Sequence, residues 1–218
     1  MTRNKLGIFL SATLALALAL TGGCVTSEVK VTRGVDTDFA AGDAIVIFPN
    51  RMGAAGLKDV QFAECVEEAI LSNKPDQRFV GANAFRDAFF PWFEPNTAPD
   101  TPDDLRRLLA RPLVQNRISE LGVHYVIVLA GSTQEVHGFP GILCGYGGCL
   151  GLAWWDRETK LTAIVWDMNV AGKVGEFTAM SSGTAVVPAF VFPLPFIPPT
   201  ETTACNDLGR SLIELLPP

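Results

Sequence analysis

The first twenty-four residues set the conditions under which the rest of this chain folds. Arg3 and Lys5 precede an apolar run over residues 6–20, and Thr21-Gly22-Gly23 lead into Cys24. A basic start, a short apolar middle and small residues before a cleavage point make a secretory signal. The run is about fifteen residues long, short of the roughly twenty that a helix needs to cross hydrocarbon. Residues 1–23 are therefore expected to direct export and be removed, so the domain folds in an oxidising compartment where cysteines pair.

The small residues directly before Cys24 resemble the lipobox of bacterial lipoproteins, in which the cysteine becomes acylated. Thr21 stands where that motif usually carries Leu, with Leu20 one place further back. The resemblance implies a lipid anchor, because two or three acyl chains hold a protein where one binds only marginally. Val25 follows the cysteine, where an acidic residue would signal retention at the inner membrane, so the expected location is the outer membrane, facing the periplasm. Residues 24–41 read as the lipidated cysteine and a solvated tether, since their Thr, Ser, Glu, Lys, Gly and Asp show no sustained periodicity. Residues 42–218 read as a single globular domain.

Removing residues 1–23 takes Arg3 and Lys5 from the 17 basic residues and nothing from the 23 acidic ones, leaving a net charge of −8. No Lys/Arg cluster offsets it, so nucleic acid is not an expected partner. Cys65, Cys144, Cys149 and Cys205 remain after Cys24, an even number suited to disulfides. Val60, Ala63, Val66 and Ile70 recur at helical spacing, with Cys65 at the edge of that stripe. Cys205, Leu208, Leu212 and Leu215 keep a similar rhythm in the last helix. If both helices cover one sheet face, Cys65 pairs with Cys205. Cys144 and Cys149 then pair around Gly145-Tyr146-Gly147-Gly148, where glycine lets a tight loop close. The C-x4-C spacing has no second cysteine or histidine pair to complete a tetrahedral metal shell, and C-x-x-C is absent, so neither a metal nor a cofactor is expected.

Asp43-Ala44-Ile45-Val46-Ile47-Phe48-Pro49 is a continuous apolar run of the kind buried on both faces of a sheet. The Cys65 helix follows, then a short strand at Gln77-Arg78-Phe79-Val80 and a brief helix capped by Asn83 and stopped by Pro91. Thr101-Pro102-Asp103-Asp104 is a strong helix start, and Pro112 divides the region into two helices that run to Gly122. Strands are expected over residues 124–130, 159–167 and 173–180, the last two joined as a hairpin. The class is α/β (α+β): a three-layer-like domain with a mixed sheet, an antiparallel carboxyl-terminal meander, helices packed on the sheet and a closing helix.

That order resembles the superfamily of the curli-secretion lipoprotein, the lipoprotein activators of penicillin-binding proteins and the amino-terminal domain of the Tol-Pal propeller protein. The residues carrying the resemblance are Ala44-Ile45-Val46-Ile47-Phe48-Pro49, Leu121-Gly122-Val123-His124-Tyr125-Val126-Ile127-Val128 with Gly131, and Ala163-Ile164-Val165-Trp166-Asp167 before Gly172-Lys173-Val174-Gly175. It implies an envelope assembly or regulatory role by fold analogy. Three segments depart from the pattern: the glycine- and cysteine-rich insertion of residues 139–152, Trp154-Trp155, and the proline-rich residues 188–199. The pore-forming hairpins of the curli protein are absent from this reading, so secretion is not implied.

A parity argument joins those departures. If the strand at His124 runs up, its partner at Thr159 runs down and the strand at Lys173 runs up, so both unusual loops leave the same edge. Phe139, Tyr146, Trp154 and Trp155 then face Phe190, Phe192 and Phe196, with Ile142, Leu143 and Leu150 among them. An aromatic patch of that size marks a contact surface, here expected to dock an envelope protein, with an oligomer possible. The alternative is that the loops bury their rings against each other as a minicore.

Two other functions have candidate residues in the sequence. Glycan binding would use Trp154 and Trp155 as a stacking platform, but adjacent strand residues point to opposite faces. A hydrolase would draw on His124, His137, Ser132, Glu135, Asp100, Asp103 and Asp104. No G-x-S-x-G elbow or H-E-x-x-H frames them, so no catalytic residue is assigned.

Overall fold

The computed structural model describes residues 25–34, 42–49, 57–93, 97, 102–170 and 172–214. The signal segment, Cys24, Asp100 and Leu215 lie outside the described residues. The class is the one expected, a mixed sheet with helices packed on it. Six strands run in the order β1-β6-β5-β4-β2-β3. They are β1 (Thr26–Arg33), β2 (Ala44–Pro49), β3 (Arg78–Phe79), β4 (Val123–Gly145), β5 (Gly148–Asp167) and β6 (Gly172–Pro193). The helices are α1 (Leu57–Asn73), α2 (Ala82–Ala88), α3 (Pro102–Leu109), α4 (Pro112–Leu121) and α5 (Thr200–Ile213).

The described chain divides into two compact units where the sequence reads as one domain. Among the described residues, the larger holds those within 27–133, 159–181 and 201–214; the smaller holds 25–26, 134–158 and 182–200.

In the larger unit, β2 is buried from Ala44 to Phe48 and pairs in parallel with β3 on one side and β4 on the other. Alternation sends its side chains to two separate cores. Ile45 and Ile47 join Tyr125, Ile127, Leu129, Leu161 and Phe177 beneath α1 and α5. Ala44, Val46 and Phe48 join Val126 and Trp166 beneath α2, α3 and α4. Phe48, Phe85, Phe89 and Phe93 form an aromatic nest, with ring centroids 4.2 Å apart for Phe85–Phe89 and 5.1 Å for Phe48–Phe85. Each such ring or branched side chain, fully buried, contributes about 1.5–3 kcal/mol.

Connections of two residues between β4 and β5 and four between β5 and β6 are too short for a parallel crossover, so this part of the sheet is an antiparallel meander. Pro112 opens α4 and left-handed Gly122 (φ 61°) closes it, as the sequence predicts. The register between β2 and β4 slips so that Ala44 faces Val123 while Ile45 faces Tyr125, leaving His124 as the extra residue of a bulge.

Several local readings need correction. Residues 26–33, placed in the tether, form β1 at the sheet edge; seven of the eight positions are exposed, so no buried periodicity betrayed the strand. In α1 the buried stripe is Phe62, Val66, Ala69 and Ile70, while Val60 is exposed. Helix α2 begins at Ala82 with Gly81 as its cap, and Asn83 instead accepts a hydrogen bond from Arg86.

Cys65 and Cys205 are bonded, their Cα atoms 5.9 Å apart, joining α1 to α5. Beside the bridge, a Cβ on Gly209 would lie 2.6 Å from Ala69 Cβ, so the two helices touch backbone to backbone there. This bond spans 140 residues and the Cys144–Cys149 bond spans 5. In the loop-entropy model these separations correspond to about 5 and about 2 kcal/mol. Urea unfolding of the Cys65→Ala/Cys205→Ala double variant should therefore show the larger loss, and equal losses for the two pairs would contradict this account.

Candidate functional site

The two segments expected as loops, residues 139–152 and 188–199, are largely strand in the first and strand as far as Pro193 in the second. Residues 134–145 of β4, 148–158 of β5 and 182–193 of β6 form an arm in the smaller unit, with Tyr146 and Gly147 at its turn and Cys144 bonded to Cys149 just behind it. Glycine and proline hid these strands, because both are poor strand formers by composition. The arm uses its glycines for close approach instead. Gly151 has φ +143°, and a Cβ there would sit 2.0 Å from Gly141 O. Gly148 has φ +117° and packs against the Val191 backbone. After Pro193 the chain doubles back: Val186 N–H donates to Phe196 O, and Phe196 N–H to Val186 O. That return segment pairs with one edge of β6.

The expected contact residues divide by exposure. Phe139, Tyr146, Phe190, Phe192 and Phe196 are all exposed, and Trp154 is 39% exposed. Leu143, Leu150, Leu152, Val191, Leu194 and Ile197 join them. Trp155 is half-buried, and its indole nitrogen is enclosed without a hydrogen-bond partner among the described residues. So the two tryptophans do not form one platform, as strand alternation requires. Nor do the rings close into a minicore; the buried positions of this arm are the small Ala185, Val187 and Ala189 on β6.

The candidates for catalysis are dispersed. His124 is held in the larger unit: its Nδ1 lies 2.6 Å from Asp43 Oδ2, its Nε2 3.3 Å from Asp167 Oδ2 and 3.0 Å from Asn169 Nδ2, and its ring stacks on Tyr125 at 4.5 Å. Asp167 Oδ1 accepts the Asn169 and Val170 N–H groups, and the Met168 N–H donates to His124 O, so the cluster fastens the β5–β6 turn to the start of β4. Asp43, Asp167 and Asn169 are the partners that spacing could not reveal, since 124 residues separate Asp43 from Asp167. Ser132 lies eight residues from His124 on the same strand, about 25 Å away, too far for a nucleophile and its base. Glu135 and His137 occupy exposed strand positions in the arm, where His137 has φ 46°. Asp103 and Asp104 sit in the first turn of α3, and Asp104 is paired with Arg107. No group of three metal-ligating side chains exists among the described residues.

A cleft of about 320 Å³ opens at the carboxyl end of β2, lined by Phe48, Pro49, Ala63, Glu64, Glu67 and Arg86 among others, and contains none of the candidate catalytic residues. Burial raises the Glu67 carboxyl above the ordinary carboxylate range, and the neighbouring Glu64 charge adds to the rise.

No family model matches the chain, and no curated protein does. Among solved structures, it is similar to the PelC dodecamer from Paraburkholderia phytofirmans. A point variant of that protein in space group C2 matches at a TM-score of 0.42 and 13% identity, covering 88% of this chain and 98% of that one. A crystal in space group P6 matches at 0.42 and 12%, covering 88% and 97%.

An acid whose folded pKa is raised loses stability as pH climbs from its unfolded value through the folded one, because ionisation then favours the unfolded chain. Glu67→Gln should accordingly raise the Tm at pH 7.5 and leave it unchanged at pH 3.5, where the carboxyl is protonated in both states. A Tm gain of equal size at both pH values would contradict the charge-based origin.

Proposed function

We propose that this chain is a lipid-anchored protein of the cell envelope, facing the periplasm from the outer membrane, and that it serves as a non-catalytic assembly or docking module whose contacts are made by the arm. The signal segment ending in Cys24 supports the anchoring. The observation that carries the docking role is the exposed apolar array, in which Leu143 is 82%, Phe190 74% and Phe192 61% exposed on one unit. Exported proteins seldom leave so many large apolar side chains in water without something to cover them. The half-buried Trp155 and the dispersed polar candidates favour this reading over a sugar platform or a hydrolase.

The arm's exposed positions are suitable for substitution because they contribute little to the folded core. Trp154→Ser combined with Phe192→Ser should abolish the arm's crosslinks in native envelopes while shifting the Tm by no more than a few degrees. An unchanged crosslink pattern would exclude the arm as the contact surface, and a large Tm loss would mean that its rings serve packing instead.

A further inference from the structure

The arm has a chemical boundary along its length. From Gly138 to Trp155 there is no Asp, Glu, Lys or Arg, and from Ser182 to Thr200 there is none either. Immediately below stand Asp156, Arg157 and Glu158 on β5 and Glu135 on β4. Thr184 Oγ1 donates to Asp156 Oδ1 at 2.8 Å, which places Asp156 and Thr184 on one face of the β5–β6 pair. By alternation Leu152 and Trp154 share that face with Val186, Pro188 and Phe190. Toward the tip, Leu143, Leu150 and Phe192 extend the exposed apolar surface. The intervening positions Ala185, Val187 and Ala189 are buried. The arm is thus apolar on one open side, packed on the other, and charged only at its base.

The first strand begins at that base. Thr26 Oγ1 and Ser182 Oγ are 2.8 Å apart, so the first residue of β1 is fixed two residues from Thr184 on β6. Cys24 precedes Thr26 by two residues, which limits its Cα to about 7 Å from that of Thr26. Acyl chains on a lipidated Cys24 would thus be tied by a two-residue link to the end of the arm at which charge gives way to apolar side chains. A bilayer has the same sequence of layers, and tryptophan concentrates at its water boundary; on the open face Trp154 stands two residues from Asp156, at the arm's own boundary.

From these placements we infer that the open face of the arm lies in the interfacial layer of the bilayer that holds the Cys24 acyl chains. This rests on the lipid-anchored reading and names lipid as the partner of its contact surface. The face adsorbs and does not cross. The register of β2 with β4 ends at Leu129, so among the described residues β2 does not cover the edge of residues 134–145, and an open sheet edge is not tolerated in the hydrocarbon core. At interfacial depth, water and headgroups satisfy that edge while the Leu, Phe and Trp side chains leave water. Contact of this kind needs no anionic lipid, consistent with a mature net charge of −8.

The test uses the full acylated chain reconstituted in vesicles of phosphatidylethanolamine and phosphatidylcholine, with or without phosphatidylcholine brominated near the top of its acyl chains. The part of the tryptophan emission that is lost in Trp154→Phe should be quenched at least about twofold by the brominated lipid, as expected for an indole at the interface. Phe190→Ser with Phe192→Ser should abolish that quenching while the variant still floats with the vesicles on its acyl chains and keeps its Tm. Unquenched Trp154 emission in a protein that floats would overturn the inference. If Trp154 then crosslinks to an envelope protein in native membranes, the occupant is protein, and the docking reading survives without this one. An acylated chain that fails to float would overturn the anchoring on which both depend.

Discussion

Burial of β2 on both faces is the constraint on which the larger unit depends. A strand with no solvent side must have each backbone group paired and each side chain packed, and β2 meets both requirements by parallel pairing with β3 and β4 between two helical layers. Parallel neighbours require long crossovers, so the helices after β2 and β3 follow from the same demand. Helix α1 returns over one face and α2, α3 and α4 cover the other. The closing helix α5 then packs beside α1, where Gly209 permits contact with Ala69 and the Cys65–Cys205 bond ties the two ends of the fold.

The smaller unit obeys a different balance. Its strands leave apolar side chains in water on one side, and the fully buried positions on the other are small, with Trp155 half-buried beside them, so hydrophobic burial within the unit is limited. Order comes from the backbone: the return segment pairing with Val186, the Cys144–Cys149 bond at the turn, and glycines that let strands approach where a Cβ would collide. A unit built this way leaves its large apolar side chains exposed. The charge-free stretch that ends at Trp155 and resumes as Asp156-Arg157-Glu158 is the compositional trace of that arrangement.

The larger unit was legible where one residue type had one physical use. The run at Ala44–Pro49 can only be a doubly buried strand, and Pro112 and Gly122 mark helix ends through their fixed or left-handed φ. Legibility failed where a residue had two uses. Glycine and proline read as loop formers at 139–152 and 188–199, yet much of both segments is strand, in which the glycines allow close approach. Val60 and Phe62 both fit a helical stripe, and only the position of the sheet selected Phe62. The bulge at His124, and with it the Asp43 and Asp167 partners, arises from a register between strands far apart in the chain.

By itself, then, the sequence determined most of the local elements, the fold class, and which residues are apolar without charge nearby. Those properties depend on neighbours within a turn of helix or a few strand positions. The tertiary structure alone decided that residues 26–33 are an edge strand, that the insertion is an arm, and that Trp155 turns inward while Trp154, Phe190 and Phe192 remain open. Exposure is set by which strand lies opposite which, and cross-strand register is a sum of many distant contacts that no local pattern encodes.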